Sequence, residues 1–453
     1  MSHSWQTAPA VGQAAEYRHI GQARLSAMAL ALAVAATIAA AALAGRAPIK
    51  ASSERRTSLS RSPRLFWLVD VLWCGGSPNT PDVLMRVVSS QARRRWIIVA
   101  AGMALLCGLP ALIRAWPVPA AAVSAAQLRA RIMSSAGDPY QGYAESNVDL
   151  GLPSLPDLGD VTSLLDGTTD QYVWYLSAEQ WRADVLTTAG ETDTYQAGSY
   201  GTFDWSYSSD LLTQVIGSEP VRLPRAADLL PPALAQRLLS YAGPSTRVSA
   251  LPAQRVAGVD AAGLRLTPAG STSTISAVDV WADPRTGLAV EVEIFGRAPT
   301  APVLVSRFLD VSFTRPALAT MTPNVGAGIG FATSSLPDVT RILHGYGPGL
   351  PASLGGVAQV AGVAGLPDLA AYGSGFARFA VVPLPFSTGQ SLLQAASSAG
   401  VTIQLGDGTA VVIQTPLVTV LLSEQPAGPV YLLAGTVTAT VLERAAQQLP
   451  DYP

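Results

Sequence analysis

The sequence contains few of the residues that enzymatic or metal chemistry needs. His344 is the only histidine after residue 19, and both cysteines, Cys74 and Cys107, precede the long C-terminal part of the chain. A catalytic triad would depend on that single histidine, which lies in "RILHGYGPG". A zinc site would need clustered histidines, cysteines or carboxylates, and the sequence shows no such spacing. We therefore predict a non-enzymatic chain with no catalytic residue, no metal and no cofactor.

Two further motifs have structural interpretations. Asp157, Asp160 and Asp166 are separated by hydrophobic residues, a pattern that favours solvated turn acids over metal ligands. The glycines of "VGAGIG" (325–330) lack the strand–helix context and the lysine of a phosphate-binding loop.

The net charge of −2 indicates that nucleic acid is not a partner.

Aromatic residues are the most conspicuous side chains between 172 and 207. Phe203, Trp205 and Tyr207 alternate with polar residues, so a strand would place all three rings on one face. Tyr172 and Trp174, earlier in the chain, are also two residues apart. Two interpretations are open: the rings form an ordinary core, or they line a cleft for an apolar ligand.

The elements that would position these rings are mainly strands. Ser124–Gln127 is a capping box and predicts a helix running to about Ala136. Strand patterns begin at Tyr140 and include a hairpin over 278–295, with its turn ending at Gly287, and a strand over 303–313. A helical segment over 224–243 interrupts them.

The N-terminal region contains two apolar runs. Leu25–Ala44 is mostly alanine and marginal as a membrane span, whereas Trp96–Ile113 directly follows three arginines, Arg93–Arg95. This pattern favours a signal anchor or signal peptide over a buried core helix. The arginines between the two runs predict a cytoplasmic segment, which places residues after 117 outside the cytoplasm, in the membrane-anchored or the secreted state. Met85 opens an ordinary secretory N-terminus, so whether residues 1–84 belong to the protein stays open.

The order of motifs over 125–315 resembles the LolA/RseB (MucB) superfamily of lipoprotein carriers and envelope-stress regulators, and its two-domain MucB/RseB type in particular. The matching segments are Ala178–Arg182, Gly201–Tyr207, Val256–Pro268 and Trp281–Ala289. Two positions depart from the family pattern: Ser177 and Val259 stand where arginines are expected. The alanine- and arginine-rich composition is of the kind that GC-rich, actinobacterial genomes encode.

The resemblance implies a mainly β fold with α elements (α+β): a curved, incomplete antiparallel β-barrel with covering helices, followed by a small C-terminal α/β domain. In that division, 1–95 is an N-terminal segment, 96–117 the membrane segment, 118–315 the LolA/RseB-like domain, 316–370 a Gly/Pro-rich linker and 371–453 the C-terminal domain. Capping boxes at Ser387–Gln390 and Thr440–Glu443 predict two helices in the last of these.

The resemblance also implies a function. We expect an extracytoplasmic binding protein with an apolar cleft for acyl chains or lipoproteins, or alternatively a regulatory sensor that binds a membrane anti-sigma factor or a transporter. The cleft candidates are Tyr172, Trp174, Phe203, Trp205 and Tyr207. The apolar loop "LGLPSLPDLGDVTSLLDG" (150–167) either packs into the body or forms a lid, with the candidates Leu152, Leu155, Leu158, Leu164 and Leu165.

Overall fold

The computed structural model describes 94–105 without 96 and 104, residue 118, and 123–449 with short gaps. The gaps are 152–162, 188–189, 217–223, 299, 324–328, 336–348, 364–365, 385, 407 and 426–428. Before residue 118 the described residues are helical and expose Ile97, Ile98 and Met103. Across the described ranges, no helix has the length and apolarity needed to cross a membrane. Because Leu25–Ala44 and much of Trp96–Ile113 lie outside the described residues, the membrane segment stays a prediction.

After residue 118, the described residues form four α-helices and two sheets. The helices are α1 (Ala125–Ser134), α2 (Pro231–Tyr241), α3 (Phe386–Ser397) and α4 (Ala439–Ala446). The strands of the first sheet are β1 (Tyr140–Asp149), β2 (Asp166–Ser177), β3 (Gln180–Thr187), β4 (Gly190–Ala197), β5 (Thr202–Ser206), β6 (Leu211–Ile216), β7 (Arg247–Val256), β8 (Val259–Thr267), β9 (Ile275–Ala282), β10 (Ala289–Gly296), β11 (Leu304–Ser312) and β12 (Gly330–Ser335).

The strands of the second sheet follow in sequence. They are β13 (Ser353–Leu354), β14 (Val357–Val363), β15 (Leu366–Ser374), β16 (Ala377–Leu384), β17 (Val401–Leu405), β18 (Gly408–Gln414), β19 (Thr419–Glu424) and β20 (Val430–Gly435). The order in the first sheet is β12-β6-β5-β4-β3-β2-β1-β11-β10-β9-β8-β7, and in the second β13-β14-β15-β16-β20-β19-β18-β17. The prediction of a mainly β fold with helices is confirmed, and both sheets are open.

Sequence signals account for several of these elements. Ser124 caps α1 through both hydrogen bonds of its capping box, as predicted. The hairpin β9–β10 turns at Gly287, whose φ of +82° suits glycine and whose missing side chain lets the turn approach Arg131 of α1. The helical segment over 224–243 contains α2, which begins with Pro231 at a position where proline loses no hydrogen bond.

Two details differ from the sequence analysis. The N-cap of α4 is Thr438, so Thr440 lies inside the helix, and Ser387 likewise lies inside α3. Strands β12, β13, β14 and part of β15 lie in the range predicted as a linker, and β12 pairs in parallel with β6. Glycine and alanine between the β-branched residues hide the alternation that would have revealed these strands. The division into domains at these boundaries stays a prediction.

The first sheet has two unlike faces. One, which we call the helix face, carries cross-strand apolar partners that pack under α1 and α2: Val148, Leu264, Leu266, Val278, Val280, Val292, Ile294 and Leu304. The other, which we call the ring face, carries Tyr172, Trp174, Arg182, Tyr195 and Phe203, which are also cross-strand neighbours. The alternation of side chains along each strand assigns every residue to one face or the other.

The core of the helix face continues into the second sheet. Ala371, Phe376 and Val382 belong to the same apolar cluster as the residues under α1 and α2. Hydrogen bonds add to this contact: the Thr274 amide donates to Thr436 O at 3.1 Å, and the Thr438 amide donates to Thr272 O at 2.9 Å. The far side of the second sheet packs against α4. The residues from 271 to 275 therefore tie the second sheet to the first.

Candidate functional site

An apolar cavity of about 110 Å³ lies where α2, the helix face and the second sheet meet. This exceeds several-fold the roughly 10–15 Å³ that one water molecule requires. From the first sheet and its connections the lining residues are Val148, Leu150, Leu165, Ile275, Ile294 and Leu304. From α2 and the residues before it they are Pro224, Asp228, Leu229, Leu234, Arg237, Leu238 and Tyr241, and from the second sheet Gly375, Phe376, Arg378, Leu417, Val418, Gly435 and Thr436.

Helix α2 forms one wall of the cavity, and hydrogen bonds from the first sheet position the residues just before this helix. Ser146 and Ser306 are fully buried on the helix face, and both hydroxyls donate to the carbonyl of Leu229. Gln171 donates to Ala226 O at 3.1 Å. These three polar side chains satisfy backbone carbonyls just before α2 and fix its entry onto the sheet. Sequence analysis missed them, because polar residues at inward positions of a strand give no signal of what they bind.

The cavity has a polar end formed by α2 and the second sheet. Arg237 and Asp228 form an ion pair at 3.0 Å. The Arg378 guanidinium lies over the Tyr241 ring, 5.0 Å from its centroid. Burial raises the pKa of Tyr241 to about 12, and the two arginines only partly offset this. The Tyr241 hydroxyl therefore stays protonated at neutral pH.

The five predicted cleft rings lie away from this cavity. Tyr172 and Trp174 are on the ring face, where Tyr172 packs between Tyr143 and Trp174 with centroid distances of 4.7 and 6.1 Å. Tyr172 is 42% exposed, and Tyr207, just after β5, is 56% exposed. The ring face is opposite the one that α1 and α2 cover, so the rings do not meet the cavity wall. Their role in ligand binding stays a prediction.

Phe203 and Trp205 lie on β5 and also belong to the ring face. Phe203 is buried in a small cluster with Tyr195, Ala197 and Leu212, and Trp205 packs against that cluster. This environment matches the interpretation of Phe203 as a core residue. Trp205 also contacts the Tyr207 ring edge to face, with a centroid distance of 5.8 Å.

The lid candidates divide between two situations. Leu164 and Leu165 are buried in the core of the helix face, and Leu165 also lines the cavity. Leu152, Leu155 and Leu158 lie outside the described residues. The apolar loop thus delivers at least one leucine, Leu165, to the cavity wall, and its action as a lid stays a prediction.

A charged cluster occupies the ring face on β3 and β4. Arg182 Nε lies 2.5 Å from Asp184 Oδ1, and its Nη2 lies 2.8 Å from Asp193 Oδ2. The Tyr195 hydroxyl donates to the same Asp193 oxygen at 3.0 Å. The short helix Leu318–Met321 covers the cluster, and Arg182 also donates to the carbonyl of Thr320. We call this group the Arg182 cluster.

The Arg182 cluster contains more acid than base. The ligand oxygens of Asp184, Glu191 and Asp193 lie within 4.8 Å of one another. Burial raises the pKa of Asp184 to about 7 and that of Asp193 to about 6, although Arg182 opposes both shifts. Sequence analysis missed the cluster because pairing of β3 with β4 brings the acids together. The cluster is an ion-pair network, and the bond from Arg182 to Thr320 O attaches the segment after β11 to the sheet.

Comparison with known proteins finds similar solved structures at low sequence identity. No family model matches the sequence, and no curated protein matches it significantly. Among solved structures, MucB in complex with MucA(peri) is 16% identical, with a TM-score of 0.40 over 73% of this chain and 100% of that one. The MucA/MucB complex of Pseudomonas aeruginosa is 16% identical, with a TM-score of 0.41 over 73% and 99%.

A LolA superfamily protein from Nitrosomonas europaea is 12% identical, with a TM-score of 0.22 over 45% of this chain and 99% of that one. All three structures are of the LolA/RseB kind that the sequence motifs resemble. The LolA/RseB-like fold stays a prediction from the sequence motifs.

Proposed function

We propose that the chain is a non-enzymatic binding protein that holds the acyl chain of a lipid or lipoprotein in the cavity beside α2. The observation that supports the proposal is the lining of that cavity, in which leucine, isoleucine and valine side chains from three directions converge. Burial of each methylene contributes about 0.8 kcal/mol, so a chain of several carbons would bind without any catalytic group.

The first test is whether lipid accompanies the protein. Native mass spectrometry of the purified full-length chain should show a mass increment that disappears after delipidation and returns with added palmitate. A chain that carries no lipid and binds none would contradict the proposal, and would favour the protein-partner alternative of a membrane anti-sigma factor or a transporter.

A cavity-filling substitution tests the location. Val418 is buried and lines the cavity, so Val418→Phe would place a ring in the space that the acyl chain needs. We expect palmitate affinity to fall at least about tenfold, because lost burial of two methylenes alone changes affinity by that factor. Val401→Phe is the matched control, since Val401 is 66% exposed at the edge strand β17. Unchanged binding by a folded Val418→Phe variant would place the lipid elsewhere.

We also propose that residues after 117 lie outside the cytoplasm, on the basis of the three arginines before Trp96. An alkaline phosphatase fused after residue 130 should be active in cells, and a cytoplasmic reporter fused at the same site should be inactive. Equal activity of the cytoplasmic reporter would contradict this topology.

A further inference from the structure

The polar end of the cavity contains an unused hydrogen-bonding group. The Tyr241 hydroxyl is buried, and no partner for it occurs among the described residues. Nearly all buried polar groups in folded proteins have a hydrogen-bond partner, so an orphaned hydroxyl in a cavity wall indicates a missing one. A ligand atom in the cavity can supply it.

Charged side chains lie near this hydroxyl. Arg237 and Arg378 both interact electrostatically with Tyr241, as does Asp228, and all three line the same cavity. Among the described lining residues there are thus two guanidinium groups and one carboxylate. A guanidinium has five N–H donors, so the ion pair of Arg237 with Asp228 leaves donors for a second acceptor.

The ring of Tyr241 is already held in place. The Arg378 guanidinium lies over the face of the ring, 5.0 Å from the ring centroid. Tyr241 is the last residue of α2, and the inner face of this helix packs on the sheet. Burial keeps the hydroxyl protonated, so it acts as a hydrogen-bond donor. A fixed donor beside two guanidinium groups matches an acceptor that carries negative charge.

We propose that the ligand is an amphiphile with an anionic oxygen head group, a carboxylate or a phosphate ester, which accepts hydrogen bonds from Tyr241 and from Arg237 or Arg378. Its acyl chain extends into the apolar part of the cavity toward Leu165, Leu304 and Val418. This inference rests on the proposed function and adds the chemistry of the head group. It predicts that the site discriminates between lipids of equal chain length by charge.

Three probes of equal chain length test the discrimination. Palmitate, palmitoyl lysophosphatidate and hexadecanol would compete with a fluorescent fatty acid for the delipidated full-length protein at pH 8, below their micellar concentrations. We expect either anionic probe, or both, to bind at least about tenfold more tightly than hexadecanol, because a hydrogen bond to a charged group is worth that factor or more. The tighter of the two identifies carboxylate or phosphate.

Tyr241→Phe isolates the hydroxyl. Removing an unpaired buried hydroxyl should leave the melting temperature of the ligand-free protein unchanged or higher, while affinity for the preferred anionic probe falls about tenfold. Affinity for hexadecanol should change less than about twofold, because most of its binding comes from the chain. Tyr200→Phe is the matched control, since Tyr200 is 75% exposed and distant from the cavity lining.

The outcomes separate the two proposals. Equal affinity for all three probes, with no effect of Tyr241→Phe, would overturn the head-group site and leave acyl-chain binding standing. A melting temperature that falls by several degrees in ligand-free Tyr241→Phe would show that the hydroxyl has a protein partner, and would also overturn it. Absence of binding by every probe would contradict the proposed function itself.

Discussion

On the helix face of the first sheet, cross-strand leucines, isoleucines and valines are covered by two helices, and the charged groups stand at its rim. On the ring face, Arg182 and its two buried aspartates form a charged cluster, and several aromatic rings remain partly exposed. The difference indicates where each kind of ligand chemistry can occur. The described apolar cavity lies where α2 and the second sheet close over the helix face.

The two faces should also respond differently to substitution. The helix face depends on packing, which changes in pH affect little, whereas the Arg182 cluster depends on charge compensation. Four expected results, from the largest to the smallest, test this contrast.

Arg182→Leu should have the largest effect, because it leaves Asp184 and Asp193 buried without their counter-ion. Loss of one partner from a buried ion pair typically costs about 3–5 kcal/mol of unfolding free energy. The loss should be larger at pH 8 than at pH 5, where the aspartates are protonated, and urea denaturation at both values would measure it. Arg255→Leu is the control, since its pair with Asp260 is solvent-exposed. An equal, small effect of both substitutions would show that the Arg182 cluster contributes little to the free energy of unfolding.

Leu264→Ala should come next. Leu264 is fully buried in the core of the helix face, and truncation of such a leucine costs about 2–5 kcal/mol. This loss should not depend on pH between 5 and 8. Leu309→Ala makes the same change at a residue that is 43% exposed, and should cost less than about 1 kcal/mol. Comparable losses in chemical denaturation would show that the helix face is not the main core.

Asp184→Asn should alter the pH dependence of stability. Burial raises the folded-state pKa of Asp184 to about 7, against an ordinary aspartate value of about 3.9 in the unfolded chain. Between these two values the folded state binds more protons than the unfolded state, so this group makes stability fall as pH rises from about 4 to about 7.

The Asp184→Asn variant lacks this titration, so its melting temperature should vary less with pH over that window than that of the wild type. Thermal unfolding at pH 5, 6, 7 and 8 measures both slopes. A variant slope that equals the wild-type slope would mean that Asp184 ionises normally in the folded state.

Tyr172→Ala should have the smallest effect. Tyr172 is 42% exposed, and its contacts with Tyr143 and Trp174 are worth about 0.5–1.5 kcal/mol as aromatic pairs. We expect a stability loss of this size at most, and unchanged binding of palmitate. Loss of palmitate binding with a normal melting temperature would instead make the ring face a lipid site, as the sequence analysis predicted.

Local signals in the sequence determined much of the secondary structure. The capping box at Ser124, the turn at Gly287 and the alternation in β10 and β11 each act over a few residues, so short segments reveal them. The motif order predicts a LolA/RseB-like fold, and its coarse form, mainly β with helices, agrees with the structure. Where the local signal was weak, as at Thr440 or in the strands β12 and β13, the predicted boundaries differ from the structure.

The tertiary structure alone decided which face of the sheet is covered. Alternation along β2 places Trp174 and Val173 on opposite sides of the sheet, but it does not say which side meets the helices. That choice depends on pairing of β1 with both β2 and β11, which places α1 and α2 over one face. The Arg182 cluster and the polar end around Tyr241 likewise join residues from separate elements, and their raised pKa values arise from burial that no short segment of sequence encodes.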